Sequence, residues 1–374
     1  MTGTKLVSLA VHFSTLEDPR VSRSQRHPLI NVVAIGLCAV ICGARHFTEM
    51  EEFGKNKRDW LAKFLDLENG IPSHDVFNAV FACLKPEQFE ACLLSWITSL
   101  HEVTGGQVLA IDGKTLRGSY DRGDGKAAVH MVSVWATANQ LSLGSVIVDE
   151  KSNEITAIPR LLEWIDVSGA LVTIDAMGCQ KEIAQQIVDH GADYVLAVKE
   201  NQPKLHAALT AFFEEQLEND FVECRTRTTK EKGHGRKEQR DYFVAPVPED
   251  FPLREQWPTL KALGLALNVT EREGKETSEV RYYILSTFPS AKRFAEAVRG
   301  HWGIENNLHW QLDVTFGEDD LRIHRGHGPA NMSILMRTAL SLLKKETSNR
   351  RGIATKRLAA GWNEAYLEQI LIGP

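Results

Sequence analysis

The chain has 374 residues, 43% of them hydrophobic and 25% charged, and a formal net charge of −6. These values exclude a disordered or collagen-like chain and predict two or three folding units with cores of ordinary size. The acidic balance speaks against a uniformly basic nucleic-acid coat, but an average over the chain hides local fields.

Residues 1 to about 100 carry helical signals, with Pro28, Pro72 and Pro86 where helices start and a cap-like Ser73-His74-Asp75. The apolar run from Leu29 to Cys42 falls short of the ~20 residues a bilayer needs, which predicts a buried helix. The N-terminus lacks a basic segment, apolar core and cleavage site, so a cytoplasmic location is expected. Cys38, Cys42, Cys83, Cys92, Cys179 and Cys224 read as buried thiols. Cys38 and Cys42 lie one helical turn apart, but no second pair follows at zinc-site spacing.

A different texture begins at Gly105-Gly106. QVLAIDGKTLRGS and AAVHMVSVWATANQLSLGSVIV predict strands, with a hairpin turn at Ala138-Asn139-Gln140. A helix near Ile155 to Trp164, the strand ALVTIDA, a helix from Gln180 to His190 and the strand DYVLAVK follow, and this alternation implies an α/β core with a mixed sheet. From about Leu217 to Phe288 short strands return as FVECRTRTT, RDYFVAPV, LKALGLALNVTERE and EVRYYILST, a β-rich insertion. Beyond Lys292 the pattern is helical again. These changes divide the chain into 1–104, helical; 105–346, the α/β core with its insertion at about 217–288; and 347–374, a helical tail.

Charge is unevenly spread. Arg225 to Arg240 holds seven Lys or Arg against two Glu, and Lys344 to Arg357 holds six against one. Either run read alone is equally a solvated face.

Asp112 follows the apolar VLAI and Asp175 follows LVTI, so each ends a buried strand. A carboxylate there is costly to desolvate unless it is paired or binds metal. Either alone reads as a turn or cap residue; two in one sheet suggest a metal site. In HWGIENNLHWQLDVTFGEDDLR, helical winding places His301, Glu305, His309 and Asp313 four apart on one side. That stripe reads as a core or solvated face, as a His-Glu-His metal site, or as the source of a third carboxylate, Glu305.

AIDGKTLRGS, TIDAMGCQ, AVKENQPKL, HGRKEQR and HWGIENNLHWQLDVTFGEDDLR, in that order, resemble insertion-sequence transposases with an RNase H-like DDE core, in the H-repeat-associated branch. HFSTLEDPR, HPL and GIPSHDVF resemble the all-helical domain that precedes that core. The resemblance spans nearly the whole chain. It implies an RNase H-like mixed sheet flanked by helices, with Asp112, Asp175 and Glu305 as the metal carboxylates and two Mg²⁺, or Mn²⁺, per site. Double-stranded DNA, both element ends and target, is the implied partner, bound by a homodimer; neither a membrane nor a small-molecule substrate is implied.

In that reading Lys114, Arg117, Lys199, Asn201 and Gln202 contact DNA near the cut, the alternative being turn residues that solvate the sheet end. Arg225, Arg227, Lys230, Lys232, His234 and Arg236 contact it from the insertion. Wider relatives frame the glutamate with Tyr, Arg and Lys, where this chain has Val298, His301 and Leu312. His301, Arg299 and Arg322 are the groups expected to take over that part. Alternatives are a catalytically idle transposase descendant that retains DNA binding, and a stand-alone metal-dependent RNase H-like nuclease.

Overall fold

The computed structural model describes residues 9, 11–100, 107–120, 127–148, 154–233, 235–257 and 259–372. The boundary at Gly105-Gly106 lies outside these residues, as does His234.

The N-terminal region is helical, with α1 Leu29–Ile41, α2 Phe47–Asn56, α3 His74–Cys83 and α4 Pro86–Leu100. α1 starts on Pro28 and is apolar all round, so every residue from Asn31 to Ile41 is buried. No helix among the described residues is long and apolar enough to cross a membrane. The core supplies β1 Val108–Thr115, β2 His130–Ala136, β3 Leu141–Val148, α5 Glu154–Trp164, β4 Leu171–Ile174, α6 Lys181–Asp189, β5 Asp193–Val198 and α7 Pro203–Glu218. The insertion supplies β6 Arg225–Gly233, β7 Arg236–Pro246, β8 Ala262–Arg272 and β9 Lys275–Leu285. After α8 Ala291–Ile304 come two π-helical stretches, then α9 Gly328–Lys345, α10 Ile353–Trp362 and α11 Glu364–Ile372.

All nine strands form one sheet in the order β3-β2-β1-β4-β5-β9-β8-β7-β6. β1, β4 and β5 run parallel, while β2, β3 and the insertion strands pair antiparallel. The insertion is therefore an extension of the core sheet, joined through β9 to β5. FVECRTRTT is only partly strand: Asp220 and Phe221 have positive φ, and β6 begins at Arg225.

α8 crosses β1 on one face of the sheet. The crossing is close because Gly300 has no side chain; a Cβ there would stand 3.1 Å from Val108 Cγ1 and from Thr137 Oγ1. α9, buried from Gly328 to Leu343, packs against α1, α3, α4 and β3. One hydrophobic cluster consequently runs from Leu9 to Leu371 across all three sequence regions.

The Lys344–Arg357 run is a solvated face only in part: Arg350 and Arg351 are exposed. Lys356 and Arg357 are buried, with Lys356 Nζ donating to Leu343 O at 2.9 Å and Arg357 Nη2 to Val40 O at 2.9 Å. Cations at helix ends that bond the last carbonyls tie the tail to the rest. All six cysteines are free; Cys38, Cys92 and Cys179 are buried, Cys42 and Cys224 half-buried, and Cys83 is exposed because α3 ends there.

Candidate active site

Parallel pairing of β1 with β4 sets Ile111 beside Ile174, so Asp112 and Asp175 follow at the same level. Asp112 does not end its strand as the apolar run suggested: β1 runs on to Thr115 against β2, with Asp112 opposite Ser133, whereas Asp175 lies just beyond β4. Strands in a ladder lie ~4.8 Å apart, which makes the two residues neighbours. Asp175 Oδ1 accepts the N–H groups of Met177 at 3.0 Å and Gly178 at 3.4 Å, and this turn fixes the carboxylate. The bland reading of Asp175 as a cap is thus correct, and compatible with a second role for the carboxylate.

Glu305 arrives from the opposite direction. It closes α8 and opens the π-helical stretch Glu305–His309, winding that is frequent at functional sites. Asp112, Asp175 and Glu305 line one cavity of about 880 Å³, together with Lys199, His301 and Arg281. Burial, then the charge of Asp175, pushes the Asp112 carboxyl up to about 7, and Glu305 and Glu154 push the same way. The Gly113 N–H, 2.9 Å from Asp112 Oδ1, opposes that rise. Crowded carboxylates of this kind favour a bound cation. Among the described residues, however, no three His, Cys, Asp or Glu form a ready metal cage.

The four-residue stripe divides its tasks. His301 Nδ1 lies 3.3 Å from Thr173 Oγ1, and burial pushes its ring down to about 4. A ring neutral at pH 7 offers a hydrogen bond and no charge. His309 Nδ1 lies 3.5 Å from Asp112 Oδ2. Asp313 turns away to Lys114, with Oδ1 2.6 Å from Nζ.

Residues 10–97 match the family described as DDE_Tnp_1-associated, and residues 104–342 match the Transposase DDE domain. The chain belongs to the DDE transposase family. It is 42% identical over 368 residues to "Putative transposase YncI" of Escherichia coli O157:H7, covering 97% of this chain and 94% of that one. It is 38% identical over 377 residues to "H repeat-associated putative transposase YhhI" of Escherichia coli K12, covering 99% of each. The nine-stranded sheet thus contains the RNase H-like core of a DDE transposase, in β1 to β5.

In this DDE family member several residues expected at DNA already make contacts within the fold. Lys114 is buried, with Nζ also 2.7 Å from Glu318 Oε2 and 3.2 Å from Asp319 Oδ1. Its charge is spent internally, because β1 alternation points it along with Asp112 toward the π-helical segment. Asn201 donates to Ala176 O at 2.6 Å and Gln202 to Cys179 O at 2.9 Å, so both brace the turn after Asp175. Arg225 donates to Phe288 O and Pro289 O, each at 3.0 Å. Arg117, Lys199, Arg227, Lys230, Lys232, Arg236, Arg299 and Arg322 remain exposed. The strand period splits them: Arg227 shares a face of β6 with Glu231, and Lys230 and Lys232 point the other way.

Two features escaped the sequence. Arg281 stacks over Trp302 at 4.2 Å beside Glu305, a pairing of β9 with α8 that no local pattern announces. Arg337, in the middle of α9, donates from Nη1 to Glu318 Oε1 at 3.0 Å beneath Lys114.

Proposed function

We propose that this chain is a DNA transposase that cleaves and joins strands at insertion-sequence ends by two-metal phosphoryl transfer, with Asp112, Asp175 and Glu305 as the metal carboxylates. The observation that carries the reading is the cavity those three residues share in a chain of the DDE transposase family. Their oxygen donors suit Mg²⁺ or Mn²⁺; Mg²⁺ in particular keeps several waters and needs no closed protein cage. A pair of ions ~3.5 to 4 Å apart supplies charge to both the entering and the departing oxygen of an in-line displacement.

Asp112, under the negative charge of both Asp175 and Glu305, is the carboxylate that would hold both ions. Asp175 is held by two backbone N–H groups and presents a fixed oxygen. His309, at 3.5 Å, restrains the Asp112 side chain. Lys199, Arg227, Arg299 and Arg322 are the cations that meet double-stranded DNA, which a homodimer assembled on it would hold at both ends.

One relative, "Inactive transposase YbfQ" of Escherichia coli K12, is 37% identical over 76 residues, covering 20% of this chain and 90% of that one. It motivates a second reading, a chain that binds DNA without cutting. With Mg²⁺ the purified protein should nick and join DNA carrying the sequences that flank its gene, and a chelator should stop all cutting. Binding with no cutting in either Mg²⁺ or Mn²⁺ would decide for the idle chain.

A further inference from the structure

A second cavity, of about 630 Å³, lies between the insertion strands and α8 and shares Arg281, Trp302 and Glu305 with the first. The sheet face beside it follows from register. Thr229, Arg240, Asn268 and Glu279 stand opposite one another across β6 to β9, as do Glu231, Glu238 and Thr270 across β6 to β8. Both rows occupy one face, over which α8 lays Arg299 and Trp302.

Four arginines line this cavity: Arg236, Arg240, Arg281 and Arg299. Each is met by a glutamate of the same sheet. Arg236 Nε lies 2.7 Å from Glu238 Oε1, Arg281 Nη2 lies 2.8 Å from Glu279 Oε1, and Arg240 also meets Glu238. Glu238 thus joins two arginines of the sheet, whereas Glu231 reaches off the sheet. One of its oxygens is 3.1 Å from Arg240 Nη1 and the other 3.0 Å from Arg299 Nη2, so its carboxylate bridges a sheet arginine and a helix arginine.

Strand pairing does not account for Glu231. It stands directly opposite Glu238, where like charges repel. Its side chain is 50% exposed, against 10% for Glu238 and 13% for Arg240, so it is the more accessible partner of Arg240. Two oxygens shared between two guanidinium groups is also how a phosphodiester's non-bridging oxygens are held.

We propose that Arg240 and Arg299 form a subsite for a backbone phosphate of the DNA strand entering the Asp112 cavity, and that Glu231 fills this subsite in the free protein until the phosphate displaces it. The inference rests on the DNA-cutting reading above and adds to it an internal competitor. Glu238 stays in place and keeps Arg240 aimed when Glu231 leaves.

Glu231→Gln keeps the side chain's size and removes its charge. In gel shifts of the full chain on a duplex of arbitrary sequence, it should bind about fivefold more tightly than wild type, with a log–log salt slope steeper by about 0.9. Arg299→Gln should weaken binding alone and cancel the gain in combination. A wild type that binds and a folded Glu231→Gln that binds equally or more weakly would overturn the subsite while leaving the DNA reading intact. A wild type with no salt-sensitive binding to any duplex would overturn both. Should Glu231→Gln fail to fold, Arg299→Gln decides alone, with weaker binding as the expected result and unchanged binding as the contrary one.

Discussion

Asp112→Asn should lower metal-dependent strand cleavage by about a thousandfold or more, while the protein stays folded and bound to DNA. The amide keeps the shape of the carboxylate and removes the charge that would hold both ions, so the loss falls on chemistry more than on binding. The same change should stabilise the metal-free fold. Burial and the charges of Asp175 and Glu305 hold the Asp112 carboxyl at about 7, above its ordinary 3.8. A carboxyl raised on folding costs nothing while protonated in both states; the cost appears as pH rises above about 4 and is complete above about 7. Melting at pH 8 should therefore show the variant more stable by roughly 1–3 kcal/mol, and the difference should vanish near pH 4. Lost cleavage with unchanged or lower stability at pH 8 would point to a damaged fold and not to a missing ligand.

Lys114→Met should destabilise the chain by ~3–5 kcal/mol, because removing one partner of a buried ion pair leaves the remaining charge only partly compensated. That charge belongs to Glu318, whose side chain is 1% exposed between Lys114 and Arg337. Burial works against its ionisation, yet Arg337 and Lys114 hold its carboxyl down at about 2, below the ordinary 4.5. A carboxyl depressed on folding contributes stability that is fully present above about 4.5 and is lost as pH falls toward about 2. Urea unfolding of wild type should show that acid loss, and Lys114→Met should show less of it. A variant with wild-type stability and weakened DNA binding would return Lys114 to the phosphate contact its sequence position suggested.

The legible part of this chain was what periodicity carries. The apolar runs before Asp112 and Asp175 predicted two carboxylates side by side in one sheet, and parallel register set Ile111 beside Ile174; only Asp175 ends its strand, because β2 carries β1 on to Thr115. Less legible was how charge is spent. Lys114 and Arg225 look like DNA contacts in sequence because nothing local shows that Glu318, more than 200 positions away, or the Phe288 carbonyl will claim them. The run from Arg225 to Arg240 reads as one patch, but a period of two deals alternate residues of β6 to opposite faces. The stripe from His301 to Asp313 assumes an α-helix, whereas π winding through Glu305–His309 and Gln311–Phe316 carries it to His309 against Asp112 and Asp313 against Lys114.

The most direct test of the central claim is a crystal of the protein soaked in Mn²⁺ and measured for anomalous scattering. Two peaks ~3.5–4 Å apart among Asp112, Asp175 and Glu305, absent from crystals of Asp112→Asn, are the predicted result. Peaks held by Asp313, Glu318 or Asp319 instead, or no peak in the Asp112 cavity at Mn²⁺ concentrations that support cleavage, would contradict it.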